Sequence, residues 1–256
     1  MSDVPILIGS RDRLTPLVEL IAWLERAGSE RILIIDNDSK YEPLLDYYER
    51  TPHQVVRLGR NVAPRNFWSA GIIDAYAGQG RYVLSDPDVV PTETCPLDAV
   101  AHFDELLDRY PDRVKAGFGL KLDDLPEHSR HAEAVRSWEM QFWQNEIAGA
   151  VYDANISTTF ALYRAETRTY LEGPSLRTGE PYLARHTPWY SDVDDPTPEE
   201  KFYRRRFAEE RPENIYTTWN DPELSQQIRV KLGLERPPSR RLWARAARVI
   251  RRRRSS

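Results

Sequence analysis

The chain has 256 residues, of which 40% are hydrophobic and 30% charged, a composition typical of a globular protein rather than a disordered one. A single cysteine, Cys95, excludes an intrachain disulfide and any zinc site built from several cysteines, and it fits a reducing compartment. The net charge of −4 conceals a basic end: eight arginines and no acid follow Ser239, so residues 1–239 carry −12. An acidic body disfavours an extended phosphate-binding face, so we expect no nucleic-acid partner.

The first sixty residues alternate between short apolar runs and stretches with helical spacing. The runs "VPILIGS", "RILIIDN" and "QVVRLGRN" predict three strands, and "LTPLVELIAWLERAG" and "YEPLLDYYERT" predict the two helices between them. Two successive crossovers of this kind imply a parallel sheet with helices on its faces.

Polar side chains follow three of the predicted strands at the point where each strand ends. A further helix precedes "RYVLSDPDVVP", the fourth strand with its turn, and that turn carries Asp86 and Asp88 one residue apart. Ligands of open parallel sheets bind outside the carboxyl ends of the strands. We therefore expect Ser10, Asp36 and Asp86 to line the same edge.

The second half of the chain has weaker patterns. A helix over "LDAVAHFDELLDRYPD", a strand over "VKAGFGLKL" and a helix over "HAEAVRSWEMQFWQNEI" are predicted in turn, followed by strand structure in "AVYDANISTTFALYR". From Thr169 to Pro198, glycine and proline are frequent and periodicity fades, which predicts a long ordered loop.

The ordered motifs of residues 3–125 resemble the nucleotide-sugar half of GT-A glycosyltransferases, and family 2 most nearly. Members of that family carry an acidic turn after the second strand, an asparagine- and glycine-containing segment after the third, and a DxD metal motif after the fourth. The matching residues here are Asp36, Asn37 and Ser39, then Asn61, Arg65, Asn66 and Gly71, then Asp86 and Asp88.

The resemblance implies an α/β fold of the GT-A type, an open and mostly parallel sheet flanked by helices. It implies a single domain over residues 1–238, with a Rossmann-like nucleotide half at 1–125 and an irregular acceptor and lid half at 126–238. Residues 239–256 form a separate basic amphipathic tail. The expected activity is transfer of a sugar from a nucleoside-diphosphate sugar, UDP favoured over GDP, to a glycan or lipid-linked acceptor.

A hard divalent ion, Mn²⁺ or Mg²⁺, would stabilise the charge that develops on the departing diphosphate. In this interpretation Asp88 binds the metal, and Asp86 reaches the ribose or a metal-bound water. Asp36 accepts a hydrogen bond from the base, and Arg65 neutralises a phosphate with its fork of donors. The remaining nucleotide-sugar-binding residues expected at this edge are Ser10, Arg11 and Asn61.

His186 lies in the polar segment "LRTGEPYLARHTPWY" and resembles the histidine that completes the metal shell in GT-A enzymes. Imidazole is a reasonable ligand for Mn²⁺ and a poor one for Mg²⁺, so this histidine favours manganese. With Arg177 and Arg185 it predicts a segment that closes over the donor diphosphate.

An inverting transferase also needs a carboxylate base for the acceptor hydroxyl. Glu139 lies among Trp138, Phe142 and Trp143, where desolvation would favour a base, and Asp153 is the second candidate.

Two other functions remain open at this point: a nucleotidyltransferase acting on a sugar phosphate, and a non-catalytic module that binds a nucleotide or nucleic acid. No apolar stretch reaches the roughly 18–20 residues that a membrane span needs, and the N-terminus lacks a signal-peptide pattern, so we expect a cytoplasmic protein. The arginine-rich tail predicts peripheral contact with an anionic membrane surface, which would be the inner face of the membrane.

Overall fold

The computed structural model describes residues 4–62, 66–77, 80–126, 132–156, 160–167, 173–192 and 194–210. The helices are α1 Thr15–Arg26, α2 Glu42–Tyr48, α3 Ile72–Tyr76, α4 Ala99–Arg109, α5 Ala132–Glu139 and α6 Pro198–Glu210. The strands are β1 Ile6–Ser10, β2 Ile32–Asp36, β3 Gln54–Arg57, β4 Tyr82–Ser85, β5 Val89–Pro91, β6 Lys115–Leu120, β7 Glu146–Ala148, β8 Val151–Asp153, β9 Ala161–Tyr163 and β10 Ser175–His186. Short 3₁₀ helices cover Met140–Trp143 and Thr187–Tyr190. Arg65 and the tail 239–256 lie outside the described residues.

The ten strands form one sheet in the order β3-β2-β1-β4-β9-β6-β10-β8-β7, with β5 paired to β10 off this path. The first four strands of that order run parallel, and β6 and β10 also pair in parallel. Strand β9 lies antiparallel between β4 and β6. The expected α/β fold class, a mostly parallel sheet flanked by helices, is confirmed.

The first half of the chain folds because its strands are apolar on both faces and its main helix on one. Every residue of β1 and β2 is buried, as central parallel strands require. On one face Ile6 and Ile8 pack with α1, and on the other Leu7 packs with Phe67 and Ile73. At roughly 25 cal/mol per Å² of buried apolar surface, this two-sided packing is the main term that fixes the sheet.

Aromatic side chains hold the middle of the sheet against the helices. Phe118 of β6 lies with its ring centroid 4.9 Å from Phe103 of α4, 5.1 Å from Phe160 and 6.2 Å from Trp23 of α1. These edge-on and tilted contacts add to the area that the rings bury. These rings therefore pack β6 against α1 and α4.

The predicted loop over residues 169–198 is wrong for its central part. Ser175–His186 is strand β10, which pairs with β5, β6 and β8 in the interior of the sheet. Its pairing register with β6 shifts between Thr178 and Leu183, and this irregularity breaks the alternation that sequence reading relies on. A strand paired on both sides cannot act as the predicted closing segment, so that role is withdrawn for Arg177, Arg185 and His186.

Two further boundaries differ from the sequence prediction. The helix expected over residues 131–147 is α5, which ends at Glu139 and continues as the 3₁₀ helix and then as β7. Helix α6 was not predicted at all. Within the described residues, no helix is long and apolar enough to cross a bilayer.

Candidate active site

The carboxyl ends of β1, β2 and β4 meet at one edge of the sheet, as expected. Ser10 is the register partner of Asp36, and Ile8 is the partner of Ser85, which immediately precedes Asp86. The structure thus brings Ser10, Asp36 and Asp86 to one edge, with Arg11 directly after β1. This is the edge at which open parallel sheets bind ligands.

Strand β5 brings Asp88 next to His186. It begins immediately after Asp88 and pairs antiparallel with the end of β10, so that Val89 lies opposite His186. The backbone N–H of Thr187 donates to the Asp88 carbonyl at 2.9 Å, which fixes the two segments together. The Nε2 atom of His186 lies 3.7 Å from Oδ1 of Asp88, with 16% and 14% of the two side chains exposed. Two residues almost a hundred positions apart are therefore neighbours.

The loop after β1 adds a buried arginine to this pair. Nε of Arg13 lies 3.6 Å from Oδ2 of Asp88, and Nη1 donates to Oε2 of Glu200 at 2.5 Å. The guanidinium carbon lies 4.0 Å from the ring centroid of Tyr203. Burial opposes the charge, but Tyr203, Glu200 and Asp88 together outweigh burial and raise the pKa of Arg13 above its ordinary value. Arg13 is thus a fixed cation beside the carboxylate of Asp88.

His186 is in the protonation state that can bind a metal. Burial lowers the pKa of His186 below its ordinary value, since the attraction of Asp88 does not compensate and Arg13 lowers the pKa further. The neutral imidazole, which carries a lone pair, is therefore favoured. It packs edge-on against Trp189 at 4.9 Å, and its buried Nδ1 has no hydrogen-bond partner among the described residues.

Asp88 and His186 fit part of a divalent-metal shell. In the ranges that the structure describes, no three His, Cys, Asp or Glu side chains converge to hold a metal. The 3.7 Å between Nε2 of His186 and Oδ1 of Asp88 is close to the distance between neighbouring ligand atoms of one octahedral ion, about 3 Å. Mg²⁺ and Mn²⁺ commonly take one or two protein ligands and complete the shell with substrate phosphates and water. The donor set therefore suits a metal held jointly with a diphosphate.

Asp36 organises the turn after β2. Only 1% of the residue is exposed, and its carboxylate accepts the Ser39 N–H at 3.0 Å, the Tyr48 hydroxyl at 3.4 Å and Arg57 Nε at 3.4 Å. The Tyr48 hydroxyl oxygen also lies in a hydrogen bond with Ser10 Oγ, at 3.0 Å. Burial, and then the nearby Asp36, raise the pKa of Tyr48, so its phenol remains a donor. The base contact assigned to Asp36 stays a prediction.

A polar cleft of about 510 Å³ lies beside this turn. Asn37 donates from Nδ2 to Oδ1 of Asn61 at 2.9 Å and accepts the Val62 N–H at 2.7 Å, so the second and third strand ends are bridged. The residues lining the cleft all come from the segment after β3: Arg60, Asn61, Val62, Asn66, Ser69 and Ala70. Asn61 lines this cleft, and its predicted contact with a nucleotide sugar stays a prediction.

The two candidate bases lie in different surroundings. Glu139 is 5% exposed, and its Oε2 accepts Nη1 of Arg177 at 2.7 Å. The negative charge of Glu139 raises the pKa of His186, and it is the weakest of four influences on that pKa. Asp153 pairs with Arg113 at 2.8 Å and lies opposite Leu176, near the other end of β10. At about 3.3 Å per residue, and allowing for the bulge, Asp153 lies about 20 Å along the sheet from His186.

A second cleft, of about 500 Å³, is bordered by Arg185 and Thr187, the two sequence neighbours of His186. It is lined by Glu19, Asp124, Arg185, Thr187 and Tyr190. Arg185 Nε donates to Asp124 Oδ2 at 2.7 Å, and the Tyr190 hydroxyl donates to Oδ1 at 2.5 Å. Burial opposes ionisation of Asp124, but these donors outweigh it and hold the pKa below its ordinary value. The cleft therefore offers an ionised carboxylate beside an aromatic ring.

Sequence reading missed the residues that join the two halves of the site. Arg13 stands in "GSRDR", and Glu200 and Tyr203 stand on α6, which was not predicted. Helix α6 also supplies Glu199, whose Oε2 accepts the backbone N–H groups of Leu14 and Thr15 at 3.1 and 3.0 Å. A carboxylate at the start of α1 is favourable in the helix dipole. The pattern "PEEKFYRRR", acidic first and basic later, is a helix signal that could have located α6.

This arrangement defines an α/β protein whose polar and charged side chains gather at the carboxyl edge of its sheet. No protein-family model matches the chain, and no curated protein sequence matches it. Among solved structures it is similar to the mannosyltransferase PcManGT from Pyrobaculum calidifontis in complex with GDP-Man and Mn²⁺. That similarity has 10% identity and a TM-score of 0.45, and it covers 96% of this chain and 80% of that one.

Two further solved structures show a comparable similarity. A UDP-glucose pyrophosphorylase in its apo form has 9% identity and a TM-score of 0.43, covering 79% of this chain and 99% of that one. HddC from Yersinia pseudotuberculosis has 10% identity and a TM-score of 0.45, covering 78% and 97%. At this identity, and with TM-scores below 0.5, the similarities carry no conclusion about activity, which is inferred from the site.

Proposed function

We propose that the protein is a metal-assisted glycosyltransferase that moves a sugar from a nucleoside-diphosphate sugar to a hydroxyl acceptor. The observation that supports this most is the meeting of Asp88, His186 and Arg13 at the carboxyl edge of a nucleotide-type sheet. A carboxylate, a neutral imidazole and a guanidinium in one place match a metal and a diphosphate bound together.

The donor would lie along the edge of the sheet. The nucleoside occupies the cleft beside Asn61, and the diphosphate lies over Asp86 and Asp88. A metal bound by Asp88 and His186 would neutralise negative charge on the diphosphate as it departs. The acceptor hydroxyl oxygen forms the new bond to the sugar C1 and gives its proton to the base, while the bond from C1 to the phosphate oxygen breaks and its electron pair goes to the diphosphate.

The acceptor would bind in the cleft beside Asp124 and Tyr190. Carboxylates and arginines hydrogen-bond sugar hydroxyls, and an aromatic ring packs on the apolar face of a sugar, so the cleft suits a glycan or the glycan part of a lipid-linked acceptor. Glu139 is the proposed base. Asp153, the second candidate, lies about 20 Å from His186 along the sheet, which is too far for it to take the acceptor proton there.

The alternative nucleotidyltransferase is less well supported by the loop after β1. Such enzymes commonly use a glycine-rich phosphate loop there, whereas "GSRDR" contains only Gly9. Gly9 belongs to β1 itself, and a Cβ at this position would lie 3.0 Å from Cε2 of Phe67. This glycine is thus explained by packing rather than by a phosphate.

Product analysis separates the two reactions. The protein would be given a panel of UDP- and GDP-sugars with Mn²⁺, Mg²⁺ or a chelator, and separately nucleoside triphosphates with sugar 1-phosphates. We expect nucleoside diphosphate from the first set, released in a metal-dependent way, with sugar passed to water or to an added glycan. Pyrophosphate released only from the second set would overturn the proposal in favour of a nucleotidyltransferase.

The variant Asp88→Asn tests the metal assignment. We expect nucleoside-diphosphate release to fall at least about a hundredfold, because several kcal/mol of charge stabilisation are lost. Asp108→Asn is the matched control, since Asp108 of α4 has an exposed carboxylate that pairs with Arg81. Equal turnover by Asp88→Asn and Asp108→Asn would show that Asp88 holds no metal.

A cytoplasmic location with peripheral binding to an anionic membrane, through residues 239–256, completes the proposal. It is supported by the eight arginines interleaved with Leu242, Trp243, Val249 and Ile250 in the sequence.

A further inference from the structure

Arg13 has a buried edge that the protein does not use. The residue is 5% exposed, yet Nε and Nη2 find no hydrogen-bond partner among the described residues, and only Nη1 is bonded, to Glu200. Buried polar groups are nearly always paired, so unpaired ones require an explanation. Leaving a charged donor without a partner in the interior is more unfavourable still.

The two unused nitrogens belong to the same side of the guanidinium. Nε and Nη2 form one of its planar forks, whose parallel N–H groups match two oxygens of a carboxylate or phosphate. This fork faces the site, because Nε lies 3.6 Å from Oδ2 of Asp88, a separation too long for a hydrogen bond. An anion beside Asp88 would satisfy both donors at once.

The rest of the side chain is held rigidly. Glu200 accepts a hydrogen bond from Nη1 alone, and the Tyr203 ring lies 4.0 Å from the guanidinium carbon. Glu200 is itself 2% exposed and accepts Nε of Arg204 at 2.8 Å, so it cannot turn away easily. Helix α6 therefore fixes which side of Arg13 faces the site.

We propose that Arg13 binds the diphosphate of the donor through Nε and Nη2, and that Glu200 of α6 is the positioning residue that turns this fork toward the site. The inference rests on the proposed function for the identity of the donor, but the ligand chemistry it requires is only a diphosphate. Arg13 keeps its proton throughout, and it stabilises the oxygen that receives the electron pair of the broken C1–O bond.

The binding can be measured without turnover or metal. Calorimetry with inorganic pyrophosphate in excess chelator would compare the wild-type chain with Arg13→Lys, which retains the charge but loses the fork. We expect pyrophosphate to bind the wild type and to bind Arg13→Lys about tenfold more weakly or worse, since lysine does not replace arginine at a bidentate site. Arg81→Lys is the matched control, because Arg81 pairs with Asp104 and Asp108 on α4.

Glu200→Gln tests the positioning role and addresses folding. Removing the charge that holds Nη1 should weaken pyrophosphate binding while Arg13 remains, and the paired change Glu200→Gln with Arg13→Lys should be no weaker than Arg13→Lys alone. Far-UV circular dichroism must show each variant folded. If either Arg13→Lys or Glu200→Gln does not fold, the other of these two variants is compared with the wild type.

The outcomes distinguish this inference from the proposed function. Absence of pyrophosphate binding by the wild type in chelator, or equal affinities of wild type and Arg13→Lys, would overturn the role of Arg13 even if sugar transfer were found. Arginine-dependent pyrophosphate binding without turnover of any nucleotide sugar would leave the role of Arg13 intact and contradict the transferase. Parallel titrations with UDP and GDP separate a nucleotide diphosphate from free pyrophosphate as the preferred ligand.

Discussion

The ion pair between Glu139 and Arg177 decides whether the first candidate base is a structural group. Both side chains are almost fully buried, at 6% and 2% exposure, with 2.7 Å between Oε2 and Nη1. Arg177 also donates to the Asn155 carbonyl at 2.7 Å and lies 4.1 Å from the Phe142 ring centroid. Breaking a buried pair by removing one partner costs about 3–5 kcal/mol, because an uncompensated charge stays inside.

Glu139→Gln should therefore lower the unfolding free energy by about 3–5 kcal/mol, and Arg177→Met by a similar amount. For a chain of this size about 1 kcal/mol corresponds to roughly 2–4 °C, so we expect each melting temperature to fall by about 10 °C. The double variant should be more stable than the sum of the two losses predicts, since it leaves no unpaired charge. Chemical denaturation followed by tryptophan fluorescence measures all four proteins.

The same proteins report on catalysis when sugar transfer is assayed well below the lowest melting temperature. A structural pair predicts activity within about tenfold of wild type in the double variant, whereas loss of a general base lowers kcat by about 10²–10⁴-fold. An unchanged melting temperature for Glu139→Gln would refute the burial reasoning. If kcat collapsed in that same stable variant, Glu139 would be the base after all.

Two further predictions concern other parts of the chain. Burial, and then Arg177, lower the pKa of Lys115 to about 8, so between about pH 8 and 10.4 the unfolded chain binds more protons, and stability should rise with pH by up to about 3 kcal/mol. Lys115→Met should lose that rise in denaturation curves; an identical rise in the variant would assign it to other groups. The full chain should float with liposomes containing anionic lipid at low salt while a chain ending at Pro238 does not; equal flotation would reject the membrane-binding tail.

The strands of the first half of the chain could be predicted because the patterns that mark them are local in the sequence. Strands β1 to β4 are short apolar runs with polar ends, and a parallel sheet places those ends at one edge. The position of Asp86 and Asp88 followed from this rule alone. His186 was chosen by residue type and lies beside Asp88, although the surrounding segment was interpreted as a loop.

The second half could not be predicted because its contacts are distant along the chain. Strand β10 carries a bulge and the buried Arg177, so neither alternation nor hydrophobicity marks it as a central strand. Glu200 contacts Arg13 across 187 positions, a relation that no local pattern contains. The aromatic neighbours of Glu139 were identified correctly, but its arginine partner comes from β10, and that partner determines its environment.

The net charge of the chain does not determine whether a single cleft can bind a diphosphate. A body of −12 argues against an extended phosphate-binding surface, because such binding depends on many exposed cations and is screened by salt. A diphosphate in a cleft needs only a few fixed donors in a partly desolvated place, where each interaction is stronger than in water. The proposed role of Arg13 fits that need inside an acidic protein, since Tyr203, Glu200 and Asp88 keep it charged against burial while one fork has no hydrogen-bond partner among the described residues. Salt therefore offers a further distinction: pyrophosphate binding through this buried fork should weaken much less with added salt than binding of the arginine-rich tail to anionic vesicles.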